Sequence, residues 1–545
     1  MKHGLFNSKI CRIGLLLAIN PKILSINGER LHRNRLRELL KIISSIEILT
    51  LYTFARLKYL KQKASSYFNI MINIVTNKTK IVATIGPASN TKEMLRQLII
   101  AGVDVFRLNF SHGVHEDHRK VISLVRELNA ELGTMISLLQ DLQGPKIRVN
   151  EMEPNIVIAP GDEITITTHK VIGNATLIST SYQHLPKDVK PGDPLMIDDG
   201  KIELKAIKSS GDNVLCKVVY GGLLKSKKGI NLPKTNVSAP SLTEKDMEDL
   251  RFGMQHRMDW IALSFVRTAE DIFSMREILK ANNSSARIMA KIERPEAIKN
   301  IDSIIDAADG VMVARGDLGV EIQMEEVPLA QKMIIEKCNQ MAKPVIVATQ
   351  MMESMIENPR PTRAETNDVA NAVLDGADAL MLSGETAAGK YPVEVINYMV
   401  HTIEAVEDTG KIFYRYRDVD LNSARAITDS VILTACKLAK EIKAKAIVGM
   451  TQAGYNIYRA SSHRPDAKLF AFTHAEDAIN SINLVWGAKA VYYDQTTSTD
   501  ETISDVEKIL VDSGELKTGD IFIFLASMPI LQRGLTNMLK VHRVK

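Results

Sequence analysis

Cysteine is scarce in this 545-residue chain: Cys11, Cys216, Cys338 and Cys436 stand far apart, with no C-x-x-C pair among them. That spacing argues against a disulfide framework or a structural zinc site and suits a reducing, cytoplasmic compartment. Long apolar runs are also missing. The longest early one, Ile13 to Ile19, falls well short of the ~20 residues that a membrane helix needs. No basic stretch is interleaved with aromatics, so the main body carries no footprint for nucleic acid. Low-complexity tracts and repeat arrays are absent as well.

The formal charge of +5 belongs to one end of the chain. Residues 1–70 hold thirteen Lys and Arg against three Asp and Glu, so the remainder is slightly acidic. This basic, acid-poor segment is open to two readings. The short apolar run behind Lys2, Lys9 and Arg12 has the look of a targeting segment, organellar or secretory. Against that, Met71 opens "MINIVTNKTKIVATIG", which would serve as a start of its own. Residues 1–74 are therefore treated as an extension, disordered or missing from the mature protein.

Apolar content of 45% and charged content of 24% are ordinary for a globular protein, and the length suggests about three or four folded units. From Lys80 onward, β-branched apolar runs alternate with longer helix-like stretches, the signature of parallel strands with crossover helices. The runs are "KIVATIG", "VDVFRLNF", "MISLLQDL", "DWIALSF", "RIMAKIE", "GVMVARGDL", "PVIVATQM" and "ADALMLSGE". Eight such strands are what a closed (β/α)₈, or TIM, barrel requires. Capping patterns at Asn90 to Glu93 and Ser241 to Glu244 mark helix starts between them. The gap between Leu142 and Asp259 breaks the rhythm, because positions 150–236 show alternating strands and Gly/Pro/Asp turns. The expected α/β architecture is thus a barrel domain (75–144 and 240–410), an inserted all-β lid domain (145–239) and a C-terminal α/β domain (411–545) with four or five strands.

Active sites of such barrels gather at the C-terminal ends of the strands, where residues two apart share a face. "AKIER" places Lys291 and Glu293 together, and "VARGDLG" sets Arg315 and Asp317 at the end of the next strand. Two carboxylates beside an ammonium form a site for a hard divalent cation such as Mg²⁺. The plainer alternatives are a lysine snorkelling at the rim or a buried ion pair with nothing bound. "FRLNFSH" adds Arg107, Asn109 and Ser111 on one face, and Arg107 suits a phosphate. "QDLQGPKIR" adds Asp141, Lys146 and Arg148, while Thr349, Gln350, Ser383 and Glu385 close the last two strands. "GETAAGKY" has phosphate-loop spacing, but Tyr391 stands where a Ser or Thr must meet magnesium, so it reads as a decoy. His112 in "SHGVHEDH" suits a metal ligand or a base, or else its turn caps the next helix, and it is placed just behind the residues that meet the substrate.

These residues lie in long motifs that resemble the pyruvate kinase family from about Thr79 to the end of the chain: "TKIVATIGPAS", "FRLNFSHG", "DLQGPKIRV", "SKKGINLP", "IMAKIERPE", "VMVARGDLGVEI", "ATQMMESMIENPRPTRAETNDVANAV" and "LMLSGETAAGKYP". The resemblance implies transfer of the phosphoryl group of phosphoenolpyruvate to ADP by a homotetramer. It assigns the divalent metal, Mg²⁺ or Mn²⁺, to Glu293 and Asp317, and charge neutralisation at the phosphoryl and the enolate to Lys291. It gives the substrate phosphate to Arg107 and the substrate carboxylate to Gly316 and Thr349. Arg148, Lys228 and His112 are assigned to the nucleotide, and Thr349 or Ser383 to proton delivery.

Two departures stand out. Many relatives hold K⁺ with positions matching Asn109, Ser111, Asp141 and the carbonyl of Leu142, beside a glutamate in G-P-E-I-R. This chain reads "GPKIR". Lys146 thus carries a fixed charge that would serve the monovalent-cation pocket, pointing to a potassium-independent type. In the C-terminal domain "TQAGYNI" puts Ala453 and Tyr455 where relatives have a donor-rich sugar-phosphate loop, and "ASMPILQRGLTN" lacks their tryptophan. The competing readings are a barrel aldolase or lyase of pyruvate-like acids and a non-catalytic relative. The lid argues against the first and the intact site residues against the second.

Overall fold

In the computed structural model the described residues are 77–235, 237–495, 498–530 and 534–545, together with a short antiparallel ladder pairing Ser25–Ile26 with Glu29–Arg30. The chain divides into two compact units, 1–66 and 67–545. The expected extension, residues 1–74, lies outside the described residues apart from that ladder.

All eight expected barrel strands form: Lys80–Ile85, Val105–Asn109, Ser137–Asp141, Trp260–Leu263, Arg287–Ile292, Gly310–Ala314, Val345–Ala348 and Ala379–Leu382. Each pairs in parallel with its sequence neighbour, and the eighth closes on the first. Strand interiors are buried on both faces, which is why they read as unbroken apolar runs rather than alternations. One set, including Val82, Val105, Leu139, Trp260, Met289 and Met312, fills the barrel's interior. The other packs against the surrounding helices.

The N-terminal rim of the barrel is held by a repeated device. An aspartate immediately before every second strand accepts the first or second N–H of the strand before it. Asp104 takes Ile81 N at 2.9 Å, Asp259 takes Leu138 N at 2.7 Å, Asp309 takes Ile288 N at 2.9 Å and Asp378 takes Val345 N at 3.0 Å. These bonds satisfy backbone donors that the staggered start of neighbouring strands would leave bare.

Two of the expected helix caps move. The cap of Lys92–Ala101 is Thr91 rather than Asn90, and that of Glu244–Gln255 is Thr243, whose capping box closes on Asp246. Both corrections follow from the backbone: the residue with extended φ and ψ sits directly before the first helical one, and its hydroxyl reaches the N–H three residues on.

Between the third and fourth barrel strands runs the β-rich insertion, a six-stranded sheet with a two-stranded ladder around its own apolar core. The C-terminal sheet has five strands, Ala446–Met450, Lys468–Thr473, Ala488–Tyr492, Ile521–Ala526 and an antiparallel edge, Met538–Arg543. It is tied to the barrel's N-terminal rim. Leu484 joins the barrel's interior cluster, Asn480 donates to Asp259 at 2.9 Å, and the fully buried Arg464 donates to Asp378 at 3.0 Å.

Burial raises the Asp259 carboxyl from 3.8 to about 6, with the bonds from Leu138 N and Asn480 only partly offsetting it. Between those two values the folded state binds the proton more tightly than the unfolded state. Asp259 therefore adds stability as pH falls through this window and forfeits it as pH rises. In a pH series of melting temperatures, the wild type should lose ground to Asp259→Asn between pH 4 and 7; parallel curves would count against the assignment.

Candidate active site

The barrel strands deliver a polar cluster at their C-terminal ends. Lys291, near the end of the fifth strand, is buried, and its Nζ lies 2.8 Å from Glu293 Oε1, 3.1 Å from Asp141 Oδ1 and 2.7 Å from Ser264 Oγ. Ser264 in turn donates to the carbonyl of Leu142 at 2.7 Å. Arg107 meets Asp141 from the second strand, with Nε to Oδ2 at 2.7 Å, and its Nη1 donates to Thr84 Oγ1 at 2.9 Å. Period-two spacing predicts the pairing of Lys291 with Glu293. The meeting with Asp141 and Arg107 requires the barrel to close.

Burial of so many charges is tolerable only because they compensate one another. Burial pushes Asp141 up, but Lys291 and Arg107 outweigh it and hold the carboxyl below the usual range. Burial opposes the charge of Lys291, yet Asp141, Glu293 and Asp317 keep its ammonium above the ordinary lysine value. Glu293 is raised by burial, with the charge of Asp317 adding to it.

The sixth strand ends at Ala314, so Arg315 and Asp317 do not lie on it as expected; the chain coils at once into the helix Arg315–Glu321, with Asp317 in its first turn. This turn brings Gly316 N to Thr349 Oγ1 at 2.7 Å. Thr349 and Gln350 both adopt positive φ, at 71° and 54°, a costly conformation for residues with side chains. Arg315 holds this turn by donating to the Thr349 carbonyl at 2.7 Å and pairing with Asp368 at 2.7 Å. Strain of this kind at a strand end fixes the Thr349 hydroxyl, which accepts from Gly316 N and donates to the Ala348 carbonyl at 2.6 Å.

A divalent cation fits the carboxylates present. Glu293 Oε2 accepts Phe265 N at 2.7 Å and its buried Oε1 meets the Lys291 ammonium at 2.8 Å, with no other donor to either oxygen among the described residues. Each carboxylate oxygen thus keeps a second lone pair in a buried place, which a hard cation could take. Asp317 would supply the second oxygen set. No group of three or more His, Cys, Asp or Glu suited to a metal occurs among the described residues, so two carboxylates would have to be completed by water or substrate oxygens.

The remaining expected residues are distributed around this core. Asn109 Oδ1 accepts Ser111 N at 3.0 Å, which shapes the loop after the second strand. Lys146 Nζ lies 3.3 Å from Asp317 Oδ1. Arg148 donates to the carbonyl of Lys227 at 3.0 Å, and Lys228 pairs with Asp198 at 2.7 Å within the insertion. His112 is held below the ordinary histidine value by partial burial and by the charges of Arg148, Arg107 and Lys146. Ser383 N is bound by Glu385 Oε2 at 2.7 Å, so Glu385 braces the turn rather than facing the mouth. Lys390 of the false phosphate loop pairs with Glu357 at 2.6 Å on the surface.

Sequence reading missed Thr84 and Ser264. Both sit at strand ends, in "KIVATIG" and "DWIALSF", and the same strand-end rule would have found them. It missed Asp198 for a different reason, since nothing local marks it as the partner of Lys228.

Comparison with known proteins agrees with this geometry. The pattern describing "Pyruvate kinase, barrel domain" matches residues 76–396, and that for "Pyruvate kinase, alpha/beta domain" matches residues 429–542. The chain is 43% identical over 474 residues to pyruvate kinases of Staphylococcus aureus strains MRSA252 and USA300, covering 86% of this chain and 80% of each relative. A crystal structure of a pyruvate kinase from Cryptosporidium parvum superposes with a TM-score of 0.80 at 35% identity, covering 86% of this chain and 96% of the other.

Removing the ammonium from this cluster leaves two buried carboxylates facing each other. Lys291→Ala should therefore destabilise the fold by about 3 kcal/mol, read from the shift in urea midpoint. An unchanged midpoint would mean that Lys291 does not compensate Asp141 and Glu293.

Proposed function

The chain belongs to the pyruvate kinase family, and we propose from its geometry which residues carry the family's reaction. The enzyme transfers the phosphoryl group of phosphoenolpyruvate to ADP, giving pyruvate and ATP, the last step of glycolysis. The family is generally magnesium-dependent. Neither an aldolase or lyase nor a non-catalytic relative finds support in these similarities.

The observation that carries the assignment is the cluster of Lys291, Asp141 and Glu293 beside Asp317. Glu293 and Asp317 would hold the divalent cation, which when bound neutralises phosphoryl charge and orients the reacting oxygens. Lys291, kept protonated by its carboxylates, offsets the charge on the transferring phosphoryl group and the departing enolate. Arg107, locked by Asp141 and Thr84, presents its guanidinium to the substrate phosphate. To seat the substrate carboxylate, Gly316 N and the Thr349 hydroxyl must give up their present bonds, to each other and to the Ala348 carbonyl. Arg148, Lys228 and His112 line the side from which the nucleotide phosphates approach, and the lowered proton affinity of His112 fits a position among cations. For Lys228 to engage ADP it must part from Asp198. Thr349 or Ser383, through an ordered water, then delivers the proton to enolpyruvate.

Lys146 supports a potassium-independent enzyme. Its ammonium is a fixed positive charge paired here with Asp317 at 3.3 Å, and to serve the pocket of Asn109, Ser111, Asp141 and the carbonyl of Leu142 it must turn away from that carboxylate. Assembly as a homotetramer and a cytoplasmic location follow from the same family reading; no helix among the described residues is long and apolar enough to cross a membrane.

A coupled assay should detect pyruvate from phosphoenolpyruvate only when ADP and Mg²⁺ are supplied, with kcat unchanged in buffers free of K⁺. Turnover without ADP would overturn the kinase reading, and a strict K⁺ requirement would overturn the role of Lys146. Fructose bisphosphate should leave the kinetics unmoved, because Tyr455 fills its loop by bonding Asp429 at 2.8 Å beneath Arg425, 3.9 Å from the ring centre. Activation by that sugar phosphate in the same assay would refute this.

A further inference from the structure

The insertion returns to the barrel through residues 230–235 and 237–239, and this returning segment is gripped by a buried ion pair. Arg294, 6% exposed, and Glu321, 4% exposed, lie with Nη1 and Oε2 3.3 Å apart. Both reach the returning segment. Asn231 Nδ2 donates to Glu321 Oε1 at 3.0 Å, and Arg294 Nη2 donates to the carbonyl of Thr235 at 3.0 Å. Asn231 is itself only 8% exposed, so these bonds form in a dry place where a lost partner is costly.

The positions of the two charged residues matter as much as their bonds. Arg294 directly follows Glu293. Glu321 lies four residues beyond Asp317, one turn further along the same face of the same helix. Each end of the ion pair is therefore rooted on the backbone that presents one of the two candidate metal carboxylates. A change in the angle of the insertion must move Asn231 and Thr235, and with them the pair.

We infer that Glu321 is a positioning residue: with Arg294 it forms a brace that sets the angle of the inserted domain over the barrel mouth and so the reach of Lys228 and Arg148 toward ADP. This rests on the proposed nucleotide role of those two residues. The bonds of the brace run to the returning segment and to Glu296, and none of them reaches Arg107, Gly316 or Thr349. Loosening it should thus weaken nucleotide capture and spare the other substrate, whereas a merely structural ion pair would lower stability and impair both.

The test is a double-mutant cycle of Glu321→Gln and Asn231→Ala, with Lys228→Ala as a control, reading both KM values, kcat and melting temperature. Asn231→Ala should raise KM for ADP about fivefold by the loss of one buried hydrogen bond, and Glu321→Gln by a similar factor through the loss of the charge that holds Arg294, both leaving KM for phosphoenolpyruvate in place. Because both loosen one brace, the double variant should fall well short of the product of the single effects. If Glu321→Gln fails to fold, Asn231→Ala carries the test, since it removes only the lid-side partner. An unmoved KM for ADP, additive effects, or parallel rises in both KM values would overturn the brace. Lys228→Ala separates the two ideas: if it leaves KM for ADP alone the nucleotide reading fails, and if it raises KM while Asn231→Ala does not, the brace alone fails.

Discussion

One ammonium organises the mouth of this barrel. Lys291 lies within 3.1 Å of Asp141, Glu293 and Ser264, contributed by the third, fifth and fourth strands or their ends. Without it, two carboxylates would face each other in a site with almost no solvent. With it, Asp141 stays ionised and grips Arg107, Glu293 finds a partner for its buried Oε1, and Ser264 turns toward the Leu142 carbonyl. The same charge balance that makes the cluster stable also equips it for phosphoryl transfer, because a reaction that spreads negative charge over oxygens needs positive groups already in place.

The rest of the fold can be seen as holding that cluster from two directions. From below, the four aspartates of the N-terminal rim bind the starts of neighbouring strands, and the C-terminal domain adds Arg464 and Asn480 to two of them. From above, the inserted domain stands on a returning segment anchored to Arg294 and Glu321, next to the candidate metal carboxylates. The barrel wall between is closely packed on both faces, and so a shift at either end has little slack in which to dissipate.

Much of this was legible in the chain. All eight strands were found because each buried parallel strand leaves an apolar run of its own, and Lys291 with Glu293 emerged because strand side chains repeat every two residues. The errors were of a local kind too. Asp317 was placed on a strand and proved to be on a helix turn, since an apolar run does not announce where the backbone begins to coil. The caps at Thr91 and Thr243 were misread by one and two residues because several hydroxyl or amide side chains precede each helix, and only the dihedral angles choose among them.

The sequence alone determined the class of fold, the strand ends that carry chemistry and, through long motifs, the family; these are short-range patterns, and every residue needed to read them lies within a turn or two. Tertiary structure alone decided the partners: Lys146 against Asp317, Lys228 against Asp198, Arg107 against Asp141 and Glu321 against Arg294 and Asn231. Those pairings join residues separated by 27 to 171 positions. Charge attraction is indifferent to sequence distance, and which opposite charges meet is settled only when the barrel closes and the inserted domain comes to rest on it.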